Sequence, residues 1–527
     1  MDTLPPAYEP ERARRTLFCA LTDAARIHGG GTAIVVDGDE RELTYTGLQR
    51  AALALGHALK RGTHKGEAVG VLLPTGIGAV ISVFALSAFG RVPAMLNFTA
   101  GTQNLLAALK AAKISRIVTA RRFIALGKFE ALEAELKAAA ELIYLEEVRD
   151  RLSIRNKAAA AIGSFLPRAV TALSSPDSPA AILFTSGTEG EPKGVVLSHA
   201  NILANVEQVR AHIAFHRSDV LFNPLPAFHS FGLTVGALMP IYLGVKAVLH
   251  PTPRQPHEIV RRIRAHRATI LLATDTFMSQ YLRASAEGDL SSLRLAVCGA
   301  ERLRDETRQM VKRKYDVELI EGYGVTEASP VISANRPGAN RAGTVGHPVQ
   351  GIQSRIEPVE GIKDAGRLLV KGPNVMLGYI DPRRPGGIVP PADGWHDTGD
   401  VVSIDEDGYI AIRGRLKRFA KIGGETVSLT VVENCASALW PDYAHAAIAL
   451  PDGRKGEIIV LVTTNAEAQR NDLLVWIRNH GVPELAAPKR VIPVVEIPVL
   501  GTGKTDYVSV AKTVAATAET PISSVRE

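Results

Sequence analysis

Cysteine is nearly missing from this 527-residue chain: Cys19, Cys298 and Cys435 are odd in number and far apart. No disulfide framework and no closely spaced set of metal ligands can be built from them, a usage that fits a reducing compartment. No apolar leader is expected from the first residues either. Met1-Asp2-Thr3-Leu4-Pro5-Pro6 carries an acid and two prolines where a signal peptide needs an apolar core. No run of Lys and Arg is long enough to argue for nucleic acid, and a net charge of +7 is a mild excess on so large a surface. That excess leaves room for an acidic partner or peripheral contact with the inner membrane. Two stretches lack charge altogether, 68–90 and 222–245, and each is long enough to span a bilayer. Pro74-Thr75-Gly76 splits the first, and Pro224, Pro226 and Gly232 interrupt the second, so both read as buried strand-plus-helix units and no transmembrane segment is expected. Internal repeats are absent.

What is present is ordinary for a globular chain, 46% hydrophobic and 22% charged residues, and the length calls for two or more domains. Residues 32–45 read as a hairpin around Asp37-Gly38, with Thr46 capping a helix that follows. From Ala68 to Glu321 short apolar runs alternate with helical patterns, which predicts an α/β fold with parallel-rich sheets and covering helices. Residues 128–166 are Ala-rich and read as helix. From about Arg341 short strands and Gly-containing turns predict a small β unit, and the last hundred residues predict a small α+β domain. The expected division is 1–414 and 415–527.

The chain is organised around Thr185-Ser186-Gly187-Thr188-Glu189-Gly190-Glu191-Pro192-Lys193-Gly194, which follows the apolar run Ala180–Phe184. Glycines let backbone N–H groups approach an anion, while hydroxyls and an ammonium add donors, so the composition suits a polyphosphate. Ser198 is placed to cap the helix that follows. This is not a Walker A loop, since Lys193 is followed by Gly194; Gly503-Lys504-Thr505 fails that pattern too, because its first glycine would fall on Pro498.

Six further stretches follow in order: Pro226-Ala227-Phe228-His229-Ser230-Phe231-Gly232, Cys298-Gly299-Ala300-Glu301, Tyr323-Gly324-Val325-Thr326-Glu327, Trp395-His396-Asp397-Thr398-Gly399-Asp400, Gly414-Arg415-Leu416-Lys417 and Leu500-Gly501-Thr502-Gly503-Lys504-Thr505. With the decapeptide they resemble the motifs of the adenylate-forming superfamily of acyl-CoA synthetases, luciferases and adenylation domains. The details look most like the synthetase half of bacterial acyl–acyl carrier protein synthetases. The acyltransferase domain that precedes that half is expected to be absent, because the first motifs begin within fifty residues of Met1.

The resemblance implies roles residue by residue. Thr185, Ser186, Gly187, Thr188, Gly190 and Lys193 would hold phosphates. Phe228, His229 and Gly232 would border the acyl pocket. Gly299, Ala300, Glu301 and Tyr323 would line the adenine site, and Thr326 would meet the α-phosphate. Glu327 would hold Mg²⁺ through a hard carboxylate oxygen. Asp400 and Arg415 would bind the nucleotide, Lys417 would be the hinge, Lys504 the catalytic lysine, and Gly423 and Gly424 would serve the thiolation step. The implied activity is cytoplasmic, ATP- and Mg²⁺-dependent ligation of a fatty acid, through acyl-AMP, to the pantetheine thiol of acyl carrier protein. Coenzyme A is the alternative acceptor; a catalytically silent acyl-nucleotide binder or an acyltransferase subunit is the rival of another class. Arg413, Arg415, Lys417, Arg418 and Lys421 cluster in sequence and are expected to steer an acidic carrier.

Overall fold

In the computed structural model, residues 4–152, 154–165, 171–172, 174–185, 192–381, 383–422, 425–452, 456–499 and 504–518 are described. The chain separates into two compact units, one of Met1–Gln353 with Val370–His396, the other of Ser354–Leu369 with Asp397–Glu527. The small β unit thus groups with the C-terminal residues, and the position 414/415 lies inside the second unit.

The first unit holds two sheets, of nine and eight strands. In the nine-stranded sheet Val220–Asn223, Lys246–Leu249, Ile270–Ala273, Leu295–Cys298 and Glu318–Gly324 run parallel to one another. The eight-stranded sheet has a parallel set, Ala68–Val71, Val92–Met95, Arg116–Thr119, Glu141–Tyr144 and Pro179–Thr185, continued by antiparallel strands from Lys193–Ser198 onwards. One core joins both sheets. Leu17, Phe18, Leu48, Leu53, Val83 and Phe84 come from three helices, Val69 and Leu183 from one sheet, Val35 and Leu249 from the other.

That core explains the charge-free stretches. Helix Ile77–Ala88 buries ten of its twelve residues, so no face needs charge. Within 222–245 a strand end is followed by the π-helix Phe231–Leu238 and the short helix Met239–Leu243. No helix among the described residues is long and apolar enough to cross a membrane.

Local expectations hold with two changes. The hairpin forms, its turn closed by Asp37, whose carboxylate accepts the N–H groups of Asp39 and Arg41 at 2.9 and 3.0 Å. The helix after it starts at Tyr45 and is capped by Thr44, not Thr46; Thr44 Oγ1 accepts the Gly47 N–H at 3.1 Å. Ser198 caps helix His199–Arg210 as expected, within a reciprocal pair with Asn201. The Ala-rich segment is not all helix. Glu141–Tyr144 forms a strand parallel to Arg116–Thr119, because that edge offers its backbone a full set of partners.

The second unit holds most of a four-stranded sheet, Gln353–Pro358, Gly366–Lys371, His396–Ile404 and Ile410–Arg415, and a five-stranded sheet with helices Leu429–Leu439, Arg470–Asn479 and Tyr507–Ala518. Val432, Cys435, Leu461, Leu473 and Ile477 form its buried centre. The α/β class with a large N-terminal part, a small β sheet and a C-terminal α+β part is therefore as the residue pattern predicts.

Candidate active site

In the first unit the two ends of the decapeptide lie on paired antiparallel strands. Thr185 ends one strand, Lys193 begins the next, and the two residues are paired with each other. Ser186, Gly187, Thr188 and Gly190 lie outside the described residues. Lys193 is exposed and its ammonium stands 5.3 Å from the ring centre of Tyr379. Tyr379 belongs to the neighbouring strand Gly378–Ile380, and its hydroxyl donates to Glu327 Oε1 at 2.6 Å. One aromatic side chain thus joins the cation of the phosphate loop to the carboxylate of the Thr-Glu signature. No sequence motif marked Tyr379, since a tyrosine in a short strand looks like any other.

Thr326 and Glu327 occupy a single 3-10 turn, Thr326–Ala328, at the end of strand Glu318–Gly324. The turn is set by Gly324, where a Cβ would stand 2.0 Å from the carbonyl oxygen of Pro330. Its far side is tied down by Met376, whose N–H donates to the Glu327 carbonyl at 2.8 Å. Thr326 Oγ1 accepts from Ser230 Oγ at 3.3 Å, which brings the Thr-Glu turn to the histidine motif. Tyr323, mostly buried, lies just upstream on the same strand.

The histidine motif is shaped by two buried polar side chains. Thr75 donates to the Leu225 carbonyl and accepts the Ala227 N–H, both at 2.8 Å. Asn223 donates to the Gly232 carbonyl at 3.0 Å and fills the space beside Gly236, where a Cβ would meet it at 2.2 Å. Any side chain at Gly232 would strike the Pro226 carbonyl at 2.3 Å. Phe228 is buried and lies 4.8 Å from the His229 ring and 5.0 Å from Phe98, which continues through Phe123 and Phe129 as an aromatic cluster. Phe231 packs at Gly299, where a Cβ would be 3.1 Å from its ring. Ala300 holds a left-handed φ of 69°. The Glu301 carboxylate accepts the Thr276 N–H at 3.0 Å at the start of helix Asp275–Ala284, and burial pushes its pKa up.

Asp400, Arg415, Lys417 and Lys504 belong to the second unit. Asp400 and Arg415 are partners across adjacent strands, with Arg415 Nε 2.9 Å from Asp400 Oδ1. The Asp400 side chain is only 4% exposed, and its N–H donates to Thr398 Oγ1 at 3.1 Å. Lys417 is exposed on the short turn Leu416–Arg418. Lys504, also exposed, sits beside the bridge between Val499 and Thr505 and two residues before Asp506. Asp506 accepts the N–H groups of Val508 and Ser509 at 3.1 and 3.2 Å, capping the last helix. Gly423 and Gly424 lie outside the described residues. Of the basic cluster, Arg413, Arg415, Lys417 and Lys421 are exposed, with Arg413 donating to Ser403 Oγ at 2.9 Å, whereas Arg418 is turned inward against Glu433 and Tyr507.

Among the described residues no three His, Cys, Asp or Glu side chains gather as a metal cage. Glu327 offers one hard oxygen ligand in a group that also holds the Thr326 hydroxyl and the Lys193 ammonium. That suits Mg²⁺, which is held by one or two carboxylates, substrate phosphates and water.

A long-chain-fatty-acid–CoA ligase of Salmonella typhimurium is 31% identical over 336 residues, covering 61% of this chain and 59% of its own length. One of Bacillus subtilis is 29% identical over 536 residues, covering 93% of each. Among solved structures, ATP-bound MatB from Rhodopseudomonas palustris superposes with a TM-score of 0.81 at 26% identity, over 95% of this chain and 99% of that one. The anthranilate CoA ligase AuaEII, solved with anthranoyl-AMP, shares the fold at a TM-score of 0.79 and 23% identity, over 96% and 98%. The family of AMP-binding enzymes matches residues 21–380, and with the pairing of Thr185 and Lys193, the Thr326–Glu327 turn and the two-unit fold, this chain belongs to it.

Proposed function

We propose that the protein is an AMP-forming ligase that joins a fatty acid to a pantetheine thiol, that of coenzyme A. The observation that carries this is the joining of Lys193, Tyr379, Glu327, Thr326 and Ser230 in one connected group beside the histidine motif. A carboxylate oxygen attacks the α-phosphorus of ATP, the P–O bond to the β-phosphate breaks, and pyrophosphate leaves with the electron pair. The thiolate then attacks the acyl carbon, and AMP leaves with the electrons of the C–O bond.

The first step brings like charges together, so it needs fixed counter-charge. Lys193 and Lys504 supply ammonium groups, and Thr326 and Ser230 supply hydroxyls. Mg²⁺ held at Glu327 would add counter-charge to the phosphates. Phe228 and the aromatic side chains beyond it give an apolar wall for an acyl chain. Asp400 holds ribose hydroxyls with its two carboxylate oxygens, and Lys417 serves as the hinge.

The acceptor has two readings. Several similar relatives are CoA ligases by name, whereas the motif details resemble carrier-protein synthetases. The inward turn of Arg418 takes one of the five cations out of the charge-steering argument for the carrier. Assays of purified protein with fatty acid, ATP and Mg²⁺ test both levels. Pyrophosphate release dependent on fatty acid is expected, with coenzyme A acylated faster than holo carrier protein. No pyrophosphate release overturns the ligase; preference for the carrier overturns only the acceptor.

Two substitutions probe the polar groups. Tyr379→Phe keeps the ring beside Lys193 but leaves Glu327 without its donor. A hydrogen bond to a charged group contributes about 1.5–3 kcal/mol, so turnover should fall about tenfold or more, with a higher Mg²⁺ concentration at half-maximal rate. An unchanged Mg²⁺ titration would detach Tyr379 from the site. Asp400→Ala should raise the KM for ATP about tenfold and leave that for fatty acid alone, since a buried hydroxyl deprived of its acceptor costs about 1–3 kcal/mol. Equal shifts in both KM values would place Asp400 elsewhere.

A further inference from the structure

Arg418 follows the hinge residue Lys417 directly, and its position is unlike that of a surface cation. Its side chain is 15% exposed, its Nη2 lies 2.8 Å from Glu433 Oε1, and its guanidinium stacks 3.5 Å from the ring centre of Tyr507. Glu433 projects from helix Leu429–Leu439 and is also 15% exposed. Its carboxylate accepts three further contacts: the Tyr507 hydroxyl at 3.1 and 3.3 Å to its two oxygens, and the Ala447 N–H at 2.8 Å. Tyr507 opens the last helix, three residues after Lys504. Between them Asp506 is fixed at both ends, its N–H on the Pro498 carbonyl at 2.8 Å and its carboxylate on the helix start. Three segments distant in sequence therefore meet at one carboxylate: the hinge turn, the first helix of the α+β part, and the base of the lysine segment.

We propose that Arg418, Glu433 and Tyr507 form a positioning clasp that holds the Lys504 segment at a set place relative to the hinge. Resting on the ligase reading above, it gives these residues a role in delivering the lysine and none in touching substrate. The physical case is one of reach. Lysine is a flexible side chain, and a charge donor acts on a developing negative charge only if its base is preorganised. A hinge motion transmits to Lys504 only through rigid contacts, and the described residues provide this charge-assisted, partly buried one. The planar stack of Arg418 on Tyr507 adds a geometric constraint that an ammonium would not reproduce.

The test uses the full chain with Tyr507→Phe, which keeps the ring, and Glu433→Gln, which keeps the shape; Arg418→Lys keeps the charge but not the stack. Adenylation is read by ATP–pyrophosphate exchange, and thiolation by turnover of supplied acyl-AMP. Tyr507→Phe and Glu433→Gln should each lower the adenylation kcat about tenfold, leave the KM for ATP within about twofold, and leave thiolation unchanged. Arg418→Lys should retain more activity than Arg418→Met. Loss in both half-reactions alike, or in neither, overturns the proposal. Amide hydrogen exchange over residues 504–510 reports the clasp without catalysis: it should quicken in Tyr507→Phe while residues 432–436 stay protected. Unchanged exchange also overturns the proposal. Quickened exchange in a chain that releases no pyrophosphate would sustain the clasp and sink the ligase reading instead.

Discussion

Lys504→Ala should cut acyl-adenylate formation by about 10²–10³-fold, the usual cost of removing one preorganised donor of positive charge. The side chain is exposed and stands beside the Val499–Thr505 bridge, so its loss opens no cavity. Stability should therefore change by no more than about 0.5 kcal/mol, as for surface substitutions in general. The half-reactions separate the effect. Adenylation places the incoming carboxylate beside the triphosphate and needs the counter-charge; attack of a thiolate on supplied acyl-AMP forms no new bond to phosphorus and should proceed near the wild-type rate. ATP–pyrophosphate exchange and single-turnover thiolation, measured on the same preparation, check this. A parallel fall in both would mean that Lys504 serves a conformation common to the two steps, or merely the fold.

Gly324→Ala should lower turnover about 100-fold with the overall fold retained. The added Cβ would sit 2.0 Å from the Pro330 carbonyl oxygen and 3.1 Å from the Val331 Cα, both backbone atoms. Neither can rotate away, so the strand end or the segment opposite must shift. Overpacking of this kind costs about 1–3 kcal/mol in stability. The activity cost is larger because Thr326 and Glu327 stand two and three residues downstream on a single turn. A displacement on the order of 1 Å of positioning groups costs about 10²-fold in rate. Gly31→Ala, where an added Cβ meets nothing within 4 Å, is the control and should be silent. Circular dichroism and a thermal melt confirm folding, and wild-type turnover in folded Gly324→Ala would show that the Thr-Glu turn does not depend on that glycine.

Much of this architecture could be read from residue order because its causes are local. Short β-branched runs alternating with amphipathic stretches predicted the parallel strands, and Asp37-Gly38 predicted the hairpin. Ser198 predicted the start of its helix, since a cap acts within three residues. The largely buried helix Ile77–Ala88 was also legible, since prolines and glycines at its borders set its length below a membrane span. The seven ordered motifs pointed to the family because each depends on residue types at fixed spacing.

Other features depended on what each side chain meets. Glu141–Tyr144 is a strand inside an Ala-rich segment because the edge of Arg116–Thr119 supplies its hydrogen bonds, a neighbour 25 residues away that no local propensity reports. Glu301 follows a glycine motif, yet its carboxylate accepts the N–H that opens another helix. Arg418 reads as one of five surface cations but turns inward, because Glu433 and Tyr507 offer a paired charge and an aromatic face that water cannot match. Tyr379 carried no signal at all and still connects Lys193 to Glu327, because strand pairing sets Gly378–Ile380 against Lys193–Ser198. The sequence by itself determined the family, the elements and the chemical types at the site. Only the tertiary structure decided which of those groups touch, because spacing along a chain sets local conformation, whereas contact across strands and helices is set by packing.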